Sequence, residues 1–160
     1  MLTQDLILLM FDYHPDGYLI WKIKKRGVIK GSIAGTLDTN GYRKIMINYK
    51  FIGVHRLVYL YHHGYLPAYI DHIDGNKLNN KISNLRECTS SQNGQNKKRP
   101  KNNTSGYKGV SWHIRQKKYT ASIQINGKLK YLGSFAKAID AYNAYKKAAL
   151  EHYGEFARLL

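Results

Sequence analysis

Between Gly94 and Gly106 the chain reads GQNKKRPKNNTSG, thirteen residues without one large apolar side chain, and this interruption constrains the fold more than any other feature. A stretch of Lys, Arg, Asn, Ser and Gly with Pro100 inside it cannot run through a core, so it is expected as a loop or linker dividing the chain in two. With 160 residues in all, neither side has room for a barrel enzyme or a doubly wound dinucleotide-binding enzyme with a substrate domain. Two small modules remain. Their 43% hydrophobic content is enough for cores, which sets the chain apart from disordered basic tails.

Charge narrows the partner. Twenty-six Lys and Arg against ten Asp and Glu leave +16 with histidines neutral, more than solubility requires, and point to a polyanion. From Cys88 to Ile139 there are eleven Lys and Arg and no acid. The lone cysteine, Cys88, excludes an internal disulfide and any zinc site built on two thiolates, and fits a reducing compartment. Leu6 to Phe11 is too short an apolar run for a membrane span or signal core. The expectation is a soluble cytoplasmic protein with no membrane partner and no small-molecule cofactor.

Periodicity places the elements. Tyr18 to Ile23, Val28 to Ile33 and Tyr42 to Ile47 are strand-like pieces between Gly and Asn-Gly punctuation. Val54, Leu57, Val58 and Tyr61 recur at three-and-four spacing up to Gly64, predicting a helix over Val54 to His63. Past the interruption, three strands and a helix are predicted: Tyr107 to Trp112, Lys118 to Ile125, then Lys128 to Leu132 across an Asn126-Gly127 turn. The helix carries Ala138, Ala141, Tyr142, Tyr145, Ala148 and Ala149 on one face up to Gly154, a face on which a sheet can sit closely. The other sheet face is expected to bear Thr120, Ser122, Gln124, Lys128 and Lys130, with Arg115 and Lys117 at the preceding turn, as a basic ribbon able to enter a major groove.

The chemistry concentrates in IDHIDGNKLNNKISNLRECTSSQNGQN, Ile70 to Asn96, where scarce acids meet a histidine and many carboxamides. Asp71 and His72 end a predicted strand, Gly75 marks a tight bend, Leu85 to Cys88 returns as a strand, and Ser90 or Ser91 is expected to cap a helix carrying Asn93. A carboxylate and a carboxamide are hard oxygen donors suited to magnesium or manganese, and a neighbouring histidine can take a proton from water. Phosphodiester hydrolysis fits those parts.

The run IDHIDGNKLNN, SNLRECT, SQN resembles the HNH nuclease family with its beta-beta-alpha metal site, and most closely the phage-type homing branch. The resemblance implies an α+β fold in which beta hairpins precede a beta-beta-alpha nuclease domain over residues 1–96. By it, His72 is the general base, Asp71 and Asn93 hold one divalent ion with phosphate oxygens, and Asn84 braces the loop. Asn in place of the last His shifts preference from zinc toward Mg2+ or Mn2+. A base that must be neutral implies activity falling at acid pH.

After a basic linker at 97–104, SGYKGVSW, YTASIQINGK, YLGSF, AYNAYKKAA and HYGEFARL resemble the APETALA2-type DNA-binding domain, placed at 105–160. That implies a three-stranded sheet reading double-stranded DNA through Lys108, Trp112, Arg115, Lys117, Lys128 and Lys130, with Lys where the plant pattern has more Arg. The whole resembles a phage-encoded homing nuclease acting in a bacterial cell as a monomer or weak dimer. The alternative is a non-catalytic DNA-binding regulator; a structured-RNA binder ranks below it.

Secondary candidates surround the segment. Asp74 is a turn former first and a ligand second. His55 and His62 lie seven apart on one helix face, for packing or capping ahead of metal. Arg56 and Arg86 either hold phosphate or pair with Asp74 or Glu87. The fourteen tyrosines read as half-buried scaffold.

Overall fold

The computed structural model describes residues 2–24, 27–100 and 102–159; Lys101 of the expected linker lies outside them. The fold is α+β, and the chain divides into two compact units, Met1–Cys88 and Thr89–Leu160.

In the amino-terminal unit, the apolar run near the start is helix α1 (Gln4–Met10), capped where Thr3 accepts a hydrogen bond from the Leu6 amide. It runs directly into a hairpin of β1 (Phe11–His14) and β2 (Tyr18–Trp21). The expected strand over Val28 to Ile33 does not form. Only an isolated bridge joins Ile20 to Ile33, because Gly27 and Gly31 take left-handed conformations and turn the chain there. A second sheet contains β3 (Thr36–Leu37), β4 (Arg43–Ile47) and β5 (Lys50–Gly53) in sequence order.

Helix α2 (Val54–His63) forms as its spacing predicts and stops at Gly64, which is left-handed at φ 78°. It buries Val54, Leu57, Val58 and Leu60 against Ile7, Phe11, Leu19 and Ile45, at about 1.5–3 kcal/mol for each fully buried aliphatic side chain. The same core receives Ile70 and Leu85, so the hairpin that carries Asp71 and His72 is packed against α2. That hairpin is β6 (Tyr69–His72) and β7 (Leu85–Cys88), with Asp71 opposite Arg86 and His72 opposite Leu85.

The carboxy-terminal unit begins with α3 (Ser90–Gln95). Its cap is Thr89, one residue before the predicted serine: Thr89 accepts from the Gln92 amide while the Gln92 side chain accepts from the Thr89 amide. A three-stranded antiparallel sheet follows, ordered β10 (Lys128–Phe135), β9 (Lys118–Ile125), β8 (Val110–His113). Tyr107 to Gly109, expected as strand, form a turn, because Gly109 is left-handed at φ 74° where the chain passes the Tyr145 ring too closely for a Cβ. Helix α4 (Ala138–Tyr153) lays Ala141, Tyr145, Ala148 and Ala149 against Val110, Ala121 and Ile123, the small-residue face that was predicted. The expected linker is no free tether. Arg99 donates to the Asn103 carbonyl, and Asn103 to the carbonyls of Tyr107 and Val110.

Candidate functional site

The β6–β7 hairpin and the loop between its strands place most of the predicted residues. Asp71 is 5% exposed, and its Oδ2 accepts two hydrogen bonds from Arg86, from Nε at 3.0 Å and Nη2 at 2.9 Å. Cross-strand partners project to one side of a ribbon, so the register itself makes this pair. Arg86 was expected to meet Asp74, Glu87 or phosphate. Glu87 instead accepts from the Tyr65 hydroxyl at 2.9 Å, since it lies one residue along β7 and points away.

His72 is also 5% exposed, with Nε2 2.9 Å from the Asn80 Oδ1. The Asn80 Nδ2 faces the Leu78 carbonyl at 3.5 Å, which turns the carboxamide oxygen toward the ring. An oxygen acceptor at Nε2 requires the proton on that nitrogen and leaves Nδ1 as the basic one. Asn80 was missed from the sequence; its only signal was the Asn79-Asn80 doublet in a carboxamide-rich loop.

Asn84 braces the loop, as its motif position implies. Its Nδ2 donates to Asp74 Oδ1 at 2.9 Å and to the Asn79 carbonyl at 2.7 Å, and its Oδ1 accepts from the Asp74 amide. Asp74 also accepts from the Asn76 amide and the Asn79 side chain, so it is the turn former. Burial alone would raise the Asp74 pKa, but these hydrogen bonds to the carboxylate outweigh it and hold the value below the usual range. The bend at Gly75, with φ 63°, closes the turn through its amide on the His72 carbonyl.

Two rings that the motif does not include wall His72. His55 lies 5.3 Å away and Tyr42 6.1 Å away between ring centroids, with 5.3 Å between those two. Burial, then repulsion from His72 and Arg56, push His55 down to about 4. His62 packs edge-on against Tyr13 at 4.5 Å, so the two helix histidines serve different neighbours and form no metal pair. Arg56 holds no acid: it donates to the carbonyls of Pro67 and Ala68 and ties down the entry to β6.

A resident metal has little to hold it within the amino-terminal unit alone. Among the described residues no three His, Cys, Asp or Glu side chains group to hold a metal, and Asp71 is the hard donor at the hairpin end. That set does not cage an ion; a divalent ion bound there would keep most of its shell for water and phosphate. Asn93 stands half-buried on α3, in the other unit.

Within the carboxy-terminal unit the basic residues fall differently from expectation. Lys108 is taken up internally, its Nζ donating to the carbonyls of Gln95, Lys97 and Arg158 at 2.7–3.1 Å, and burial lowers its pKa to about 8. Lys128 and Lys130 pair with Ile125 and Ile123. The two-residue turn at Asn126-Gly127 sets that parity, which puts both lysines on the helix side of the sheet. The open face carries Ser122, Gln124, Leu129 and Tyr131 instead. Arg115 and Lys117 are exposed in the β8–β9 turn, and Trp112 is half-exposed with its ring 4.7 Å from Tyr119.

Residues 53–95, a span taking in α2, β6, β7 and α3, match the family model described as HNH endonuclease. Protein 3.8 of Escherichia phage T7 is 38% identical over 90 residues, covering 56% of this chain and 74% of that protein. An uncharacterized HNH endonuclease, L560, of Acanthamoeba polyphaga mimivirus is 40% identical over 107 residues, 65% of this chain; the chain spans about half of that relative, 54%. A solved structure described as DNA binding and cleavage by the HNH homing endonuclease I-HmuI is similar over 54% of this chain and 50% of that one, at 29% identity and a TM-score of 0.41.

Proposed function

We propose that this chain, whose residues 53–95 match the HNH endonuclease family model, is a divalent-metal-dependent nuclease hydrolysing phosphodiester bonds in double-stranded DNA. The observation that carries the reading is His72, buried at the end of β6 with its Nε2 on the Asn80 carboxamide and Nδ1 left as its basic nitrogen. A histidine fixed in that tautomer can deprotonate water at Nδ1 while Asn80 steadies the imidazolium that forms. Asn84 acts by holding the loop that bears Asn80. Asp71 would be a ligand of one magnesium or manganese ion, with Asn93 the further ligand that the motif implies. That ion, when bound, polarises the scissile phosphate and stabilises charge on the departing oxygen.

The nuclease module in this reading is residues 1–96 and the DNA-positioning module residues 105–160, joined by the basic stretch at 97–104. The three-stranded sheet with α4 across it supports an APETALA2-like module, and Arg115, Lys117 and Trp112 remain its contacts to DNA. One site per chain makes a single-strand nick by a monomer the simplest outcome. Plasmid nicking with magnesium tests the reading, comparing wild type, His72→Ala, Asp71→Asn and Asn93→Ala alongside a gel shift. Nicking is expected from wild type alone and is lost in a chelator. A wild type that binds DNA and never nicks overturns the nuclease; normal nicking by His72→Ala overturns the base.

A further inference from the structure

We propose that the tip of the β4–β5 hairpin is a second DNA contact, at which Tyr49 inserts against the bases of double-stranded DNA. Ile47 pairs with Lys50, so the turn has two residues, Asn48 and Tyr49, and both are left-handed at φ 48° and 62°. Such turns match the twist of a hairpin but ask for glycine at the second position. The chain makes the same turn between β9 and β10 and there uses Asn126-Gly127, at φ 50° and 76°. A bulky aromatic in that conformation is strained, and strain kept where glycine would serve points to a use.

The fold gives the ring no reward, since Tyr49 is 98% exposed. Behind it on one face of the hairpin, Met46 pairs with Phe51, both about half-exposed, and the Lys44 Nζ lies 4.5 Å over the Phe51 ring. Ile29 and Ile33 complete a shallow groove there. From Gly17 to Ile70 the sequence has nine Lys and Arg and one acid, Asp38. An aromatic wedge in a strongly cationic setting fits a polyanion whose backbone flanks flat apolar surfaces, which is duplex DNA. Minor-groove proteins open base steps with such wedges, and aromatic rings stack on bases without regard to sequence.

The inference rests on DNA being the substrate, but its test needs no cleavage. Binding of the full chain to a labelled random-sequence duplex is followed by fluorescence anisotropy in a chelator across a salt series, for wild type, Tyr49→Gly, Tyr49→Asn and Tyr49→Phe. Tyr49→Gly is expected to unfold at a slightly higher temperature, the strain being relieved, yet to bind about tenfold more weakly. The slope against salt stays unchanged because no phosphate contact is lost. Tyr49→Asn, which tolerates the turn, weakens binding alike, and Tyr49→Phe retains it. Wild-type affinity in Tyr49→Gly overturns the inference, as does a change confined to self-association in sedimentation, which would make the face a protein contact. Failure of wild type to nick plasmid would overturn the nuclease reading alone and leave this result standing.

Discussion

His55 makes the amino-terminal unit acid-labile, by an amount the structure allows to be worked out. Its ring packs beside those of His72 and Tyr42 and against Gly53, where a Cβ would collide with it. Burial holds its pKa at about 4 against an ordinary 6.5. Between those values the unfolded chain binds a proton that the folded one refuses, so stability rises with pH. The contribution is complete above about pH 6.5 and is lost as pH falls toward 4. At about 1.4 kcal/mol per unit, the fall from pH 7 to pH 5 is about 2 kcal/mol. Trp21 is buried in this unit, its ring tilted against that of Phe11 at 4.5 Å between centroids. A Trp112→Phe background makes it the sole tryptophan, reporting urea unfolding of the unit. In that background His55→Gln should be less stable at pH 7, having lost packing, and should vary less between pH 7 and pH 5 by about 2 kcal/mol. Parallel pH dependences in the two proteins would refute the assignment.

Other substitutions probe the supports of the site. Arg86→Met removes the guanidinium from a buried carboxylate and should lower urea-unfolding stability by about 3–5 kcal/mol, whereas Asp71→Leu with Arg86→Met should regain most of it while remaining unable to nick DNA. Asn84→Ala breaks the three loop hydrogen bonds and should lower stability by about 2 kcal/mol, with faster amide exchange at residues 73–84 and wild-type exchange in α2. Gly109→Ala drives a methyl into the Tyr145 ring at a positive φ, and melting followed by Trp112 fluorescence should show a loss of about 3 kcal/mol.

Those elements whose signals are local were legible in the sequence. Val54 to His63 and Lys118 to Ile125 form with the predicted bounds, because spacing, a terminal glycine and an Asn-Gly turn act within a few residues. Strand β5 was not foreseen, because its turn has tyrosine where the usual signal has glycine. The lysines of β10 were assigned to the wrong face for a different reason. Alternation along one strand fixes which residues share a side, but only the register of a hairpin says which side the next strand matches. Lys108 was expected to touch DNA because a lysine that donates to three backbone carbonyls looks, as a letter, like one that grips phosphate. In the candidate site, the motif supplied Asp71, His72, Asn84 and Gly75. It was silent on Asn80, His55 and Tyr42, which reach His72 from a loop, a helix and the residue before β4.

The adjacency of Asp71 and His72 sets how a substrate must lie. Successive residues of a strand point to opposite faces: Asp71 turns toward Arg86 on one side of the ribbon, while His72 turns toward Asn80 and the rings of His55 and Tyr42. A phosphodiester lying flat on either face would meet one of the two groups. In the proposed reaction both act on the same phosphate, so the backbone has to cross the end of β6, where the chain leaves the sheet at the Ile73–Gly75 turn. That requirement gives the Asn84 brace its purpose. The turn it ties to the start of β7 would be the edge over which the substrate passes in that reaction, and Asn84 holds this edge through Asp74 and Asn79, the neighbour of the Asn80 that would orient the base. Loosening the brace would therefore shift the proposed base and the edge together, whereas loss of Arg86 would release the Asp71 carboxylate from its guanidinium.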